Sequence, residues 1–117
     1  NRGGLYFTDD GGKNWQQRLD AGVRANLGIE SLSFATTEIG WIIGIEFVTL
    51  DSPNNSNGVV LKTIDGGKTW IREKNEFFNN LFQMIKFTDA KNGWLVSEDT
   101  VYRTNDGGKN WQKVWSL

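Results

Sequence analysis

Three aspartates recur in one setting. Asp10, Asp65 and Asp106 lie in the octets Thr8-Asp9-Asp10-Gly11-Gly12-Lys13-Asn14-Trp15, Thr63-Ile64-Asp65-Gly66-Gly67-Lys68-Thr69-Trp70 and Thr104-Asn105-Asp106-Gly107-Gly108-Lys109-Asn110-Trp111. All share Thr-x-Asp-Gly-Gly-Lys-(Asn/Thr)-Trp without a gap. Carboxylates beside turn glycines invite two chemistries, calcium ligation and acid–base work on a glycosidic bond. Asp9, Asp10, Asn105 and Asp106 are oxygen donors, but no copy has the Asp-x-Asp-x-Asp-Gly ligand ladder, so no metal is expected. The chain contains no His and no Cys, which removes the usual general base, the thiolate nucleophile and disulfides. Glu46 and Asp51 share one turn-rich stretch with nothing to fix their separation, and a short turn explains Glu98-Asp99. No catalytic residue and no cofactor are assigned, and the chain leans away from an enzyme.

The alternative role of the octet is to make a turn. Adjacent glycines permit positive φ, so the chain can reverse sharply. The Asp can accept from turn N–H groups with help from the Thr hydroxyl, and the Trp can cover the loop while its N–H finds a partner. Thr8, Asp10, Gly12 and Trp15, Thr63, Asp65, Gly67 and Trp70, and Thr104, Asp106, Gly108 and Trp111 therefore read as structural. Apolar runs precede each copy (Leu5-Tyr6-Phe7, Val59-Val60-Leu61, Val101-Tyr102), as strands entering a hairpin should.

A second pattern precedes two of the octets. Phe34 lies six residues ahead of Gly40-Trp41, and Phe87 six ahead of Gly93-Trp94. The unit is strand A ending at Phe, a polar turn, strand B opening on Gly-Trp, strand C, the octet, and strand D opening on its Trp. Residues 1–19 supply only C and D, residues 30–74 a full unit, and residues 81–115 another. Twelve extra residues separate strands B and C in the first full unit, around Glu46 to Gly58. Leu81 to Ile85 fits one helical turn as well as an alternating strand, and it reads as the approach to strand A. A four-stranded antiparallel unit repeating every 40–45 residues or so is a propeller blade. The fold class is all-β, a partial β-propeller of about two and a half four-stranded blades. Such an arc leaves apolar blade faces bare, so the expected partners include the remaining propeller blades, from the same longer chain or by self-association.

The octets match the Asp-box (BNR) signature of sialidases, xyloglucan-cleaving glycosidases and sortilin-type receptors. With Phe-x5-Gly-Trp added, residues 4–115 resemble the photosystem II stability/assembly factor family more closely. The resemblance implies that the Asp boxes are structural and lie on C–D hairpins away from the ligand face. It also implies that a sialidase would need an arginine triad and a Tyr–Glu nucleophile pair. The arginines here show no Arg-Ile-Pro-type motif, and Tyr6 and Tyr102 both lie on C strands by octets.

Strand parity separates the rims: A–B turns and octets share one, and B–C and D–A loops share the other. Long loops on a rigid scaffold are where binding usually resides. Phe77 and Phe78 are candidates to stack on a sugar or peptide, and Arg24, Glu46 and Asp51 to fix polar groups. The expected function is a non-enzymatic scaffold recognising a protein or glycan, with a sialidase-like or xyloglucanase-like glycosidase segment as the alternative. The 13 basic and 14 acidic side chains carry no basic run, so no nucleic-acid partner is expected. The longest apolar run, Ile39 to Ile45, is too short for a membrane-spanning helix. An extracellular, periplasmic or lumenal compartment is expected. Asn54-Asn55-Ser56 is a glycosylation sequon, meaningful only in a secretory eukaryote.

Overall fold

The computed structural model describes residues 6–17, 27–47, 56–73 and 81–117. These form an all-β arc of three antiparallel sheets. The first pairs β1 (Tyr6–Phe7) with β2 (Gln16–Gln17). The second runs in order through β3 (Leu27–Phe34), β4 (Gly40–Phe47), β5 (Ser56–Thr63) and β6 (Ile71–Glu73). The third repeats that order with β7 (Phe82–Phe87), β8 (Gly93–Ser97), β9 (Thr100–Thr104) and β10 (Gln112–Ser116). The ambiguous stretch at Leu81 to Ile85 thus resolves as strand from Phe82 onward. Two matched four-stranded meanders packed face to face make this a partial β-propeller.

Register shows why Phe and Gly-Trp keep their spacing. Phe34 pairs with Gly40 and Phe87 with Gly93 across the first two strands of each sheet. A Cβ on either glycine would lie 2.6 Å from the facing phenylalanine ring. Each ring therefore lies flat on a bare backbone, and only glycine leaves it room. The following Trp points the other way. Trp41 stacks on Phe87 of the next sheet, with ring centroids 3.4 Å apart and planes within 2°. Phe87 in turn meets Trp111 edge-on at 5.8 Å. Trp41, Ile43 and Val60 from one sheet and Phe82, Ile85, Phe87, Leu95, Tyr102 and Trp111 from the other make one buried cluster. Covered on both faces, β4 carries the near-continuous apolar run Trp41-Ile42-Ile43.

The inner edges of the two sheets are joined by hydroxyls. Ser33 Oγ accepts the Phe87 N–H at 2.9 Å and Ser31 Oγ the Ile85 N–H at 3.4 Å. These serines pair the backbone donors of β7 that face the neighbouring sheet, which would otherwise be costly to bury.

The twelve additional residues do not form only a loop. β4 and β5 pair continuously from Gly40↔Thr63 to Phe47↔Ser56, whereas the matching pairs in the third sheet stop at Val96↔Val101. Part of the insert therefore lengthens the hairpin, with Glu46 opposite Asn57, and Glu46 and Phe47 belong to a strand.

Candidate functional site

Each octet is closed by its own side chains. In the first, Thr8 Oγ1 donates to Asp10 at 2.8 Å and accepts the Gly12 N–H at 3.1 Å. Asp10 accepts the N–H groups of Lys13 and Asn14 at 3.0 Å and the Asn14 amide at 2.8 Å. Asp65 receives the Thr69 N–H and hydroxyl, and Asp106 the Asn110 N–H and amide, with Thr63 and Thr104 in the place of Thr8. Asn and Thr are interchangeable at the penultimate position because both add a side-chain donor to the same carboxylate.

These bonds set the electrostatics. Donors from Asn14, then Thr8, hold the Asp10 carboxyl at about 2, below its ordinary 3.8. Thr69 does the same for Asp65, and Asn110 for Asp106, both also to about 2. An acid so held stays ionised as an acceptor and is unsuited to donate a proton near neutrality.

The octets also bind the A–B turn of their own sheet. Gly66 N–H donates to Glu38 O at 2.9 Å and Gly107 N–H to Lys91 O at 3.0 Å. Both double glycines have φ between 76° and 91°, and a Cβ on Gly107 would sit 3.1 Å from Ala90 O. The A–B turn and the octet thus share one rim, as strand parity requires. The turns use equivalent devices: Thr36 Oγ1 accepts from Glu38 and Ile39, and Asp89 accepts from Lys91 and Asn92.

The indoles differ among copies. Trp15 and Trp70 donate to Gly12 O and Gly67 O at 2.9 and 3.0 Å. Trp111 makes no such bond, and it and Trp41 are buried with their N–H groups unpaired among the described residues. A cleft beside the third octet, lined by Arg103, Thr104, Asn105, Asn110 and Gln112, holds about 40 Å³. Ligand pockets run to roughly 300 Å³ or more, so this cleft is not one.

Of the binding candidates expected from the sequence, Arg24, Asp51, Phe77 and Phe78 lie outside the described residues, as does Asn54. Of Glu46 only the backbone is described, near the far end of the β4–β5 hairpin. That places Glu46 at the end of its sheet away from the A–B turn and octet. The packing role of Gly40 and Gly93 escapes sequence reading, although their fixed distance from Phe34 and Phe87 was its visible trace.

The BNR/Asp-box repeat family model matches residues 6–17 and 102–113. The chain is 29% identical over 108 residues to the photosystem II assembly lipoprotein Ycf48 of Synechococcus sp. (strain CC9902), covering 90% of this chain and 29% of that protein. It is 28% identical over 101 residues to the chloroplastic photosystem II stability/assembly factor HCF136 of Arabidopsis thaliana, covering 85% of this chain and 22% of that one. The chain thus spans less than a third of the length of these relatives. Among solved structures it is similar to YCF48 bound to D1 peptide, with TM-score 0.71 and 29% identity, covering 94% of this chain and 33% of that one. It is likewise similar to YCF48 from Cyanidioschyzon merolae, with TM-score 0.72 and 26% identity, covering 96% and 33%. Triplicate octets clasped by Thr and Asp, Phe-on-Gly sheets stacked through Trp, and these likenesses agree: the chain carries Asp-box (BNR) repeats on a partial β-propeller and is similar to the photosystem II stability/assembly factors.

Proposed function

We propose that this chain is part of a non-enzymatic propeller scaffold that binds an extended polypeptide segment on the rim formed by its B–C and D–A loops. The observation that carries this reading is the likeness, over 94% of the chain, to a propeller solved with a bound D1 peptide. The octets support it from the other side, because their carboxylates are occupied by their own turns. That likeness favours a polypeptide over a glycan and over a glycosidase segment. Phe77 and Phe78 would supply the aromatic anchors, and Arg24, Glu46 and Asp51 the polar contacts. The division into a half blade (1–19) and two blades (30–74 and 81–115), and a lumenal or periplasmic-type compartment, belong to the same proposal.

The test is calorimetric titration of the intact protein with D1 peptide, beside an assay on chromogenic glycosides. Saturable binding without turnover is expected. Paired Phe77→Ala and Phe78→Ala changes should weaken binding about tenfold or more. Glycoside turnover, or affinity indifferent to every rim substitution, would overturn the proposal.

A further inference from the structure

The A–B turns of the two full sheets differ in what precedes their glycine. Gly40 follows Ile39, whereas Gly93 follows Asn92, making an Asn-Gly pair. Neither glycine can change, since a Cβ on it would meet the Phe34 or Phe87 ring at 2.6 Å. An Asn-Gly bond carries a chemical liability that Ile-Gly lacks. With no side chain on the glycine, its nitrogen can close on the preceding amide carbon. The Gly93 nitrogen gives its proton to solvent base and bonds to Asn92 Cγ. The Cγ–Nδ2 bond breaks, and ammonia leaves with a proton taken from water. Water then opens the cyclic imide at Cγ, giving aspartate, or at the main-chain carbonyl, giving isoaspartate.

Both reacting groups are held. Asn92 Nδ2 donates to Asp89 Oδ1 at 3.1 Å and to Oδ2 at 3.0 Å, and the Asn92 N–H donates to Oδ1 at 2.8 Å. The Asn92 carbonyl accepts the Thr88 N–H at 3.0 Å. That last bond makes Phe87–Gly93 the cross-strand pair without mutual bonds, so the Gly93 N–H faces Thr104 of β9 instead. The nucleophile is thus engaged in a ladder and the amide by a carboxylate. In the second sheet Thr36 Oγ1 closes the equivalent turn and has no amide to hold.

We infer that Asn92-Gly93 is a site of spontaneous deamidation gated by Asp89, intact while the clasp is closed and converted when this turn opens. Either product puts a second carboxylate where the amide donated, so like charge faces Asp89. Isoaspartate also inserts a methylene before Gly93 and moves it from beneath Phe87, the ring stacked on Trp41. A slow covalent change in one exposed turn therefore loosens the seam between sheets.

Peptide mapping by mass spectrometry follows residue 92 of the intact protein at mildly alkaline pH, folded and in guanidinium chloride. Conversion in the folded chain should be about tenfold slower or more, because bonds to a charged acceptor must open first. Asp89→Ala should remove most of that difference, and Asp89→Asn, which keeps one acceptor oxygen, should remove part of it. The chain's other Asn-Gly pair, Asn57-Gly58, reports on global unfolding and should keep its rate in both variants. Asn92→Asp, which carries the product's charge, should lower the denaturation midpoint. Equal rates in folded and unfolded chains, or an inert Asn92 in the unfolded chain, would overturn the inference. So would Asp89 variants no faster than wild type, acceleration of Asn57 alongside Asn92 in both variants, or an unchanged midpoint for Asn92→Asp.

Discussion

At the residue scale, the Asp-box carboxylates act as fixed acceptors, and this has a sign. Asp10, Asp65 and Asp106 are held at about 2 against an ordinary 3.8, so folding favours their charged forms. Their contribution is complete above the unfolded value and is lost as pH falls through that value toward the folded one. Thermal melts should therefore be flat from about pH 8 to 5 and fall steeply below about 4. Asp65→Asn should flatten part of that fall, because the amide does not titrate. The turn glycines give a graded expectation. Gly107→Ala meets both a positive φ of 76° and Ala90 O at 3.1 Å, whereas Gly11→Ala meets only a φ of 77° with open space around it. Chemical denaturation should show a loss of about 1–3 kcal/mol at Gly107 and less at Gly11.

At the element scale, the seam between sheets rests on Phe87, 3% exposed between Trp41 and Trp111. Phe87→Ala should cost about 3–5 kcal/mol. Phe34→Ala, on a ring still 39% exposed, should cost clearly less in the same denaturation assay. Ser33→Ala removes the acceptor of a buried N–H and should cost about 1–3 kcal/mol. This contrast marks where sequence reading stops. The octet bonds span at most four residues, so Thr, Asp, Gly-Gly and Trp declare them locally. The Trp41–Phe87 stack and the Ser33–Phe87 bond join residues far apart in sequence, and only strand register and sheet packing bring them together. The insert misleads for another reason. Its Asn, Ser and Pro suggest a loop, yet Phe47 and Ser56 still pair because β4 and β5 prolong an existing ladder at little entropic cost.

At the scale of the whole molecule, the proposed function separates by rim. One rim is consumed by A–B turns bonded to octets, through Gly66 to Glu38 and Gly107 to Lys91. The proposal assigns binding to the other, whose aromatic and charged candidates strand parity alone selects in the sequence. Their side-chain placement is not legible there, since long loops carry no period from which to read it. The most direct measurement is amide hydrogen exchange of the intact protein with and without saturating D1 peptide. Added protection should fall on residues 19–29, 46–58 and 74–81 and leave residues 8–15, 63–70 and 104–111 unchanged. Protection centred on the octets, with the opposite loops exchanging as before, would contradict the account.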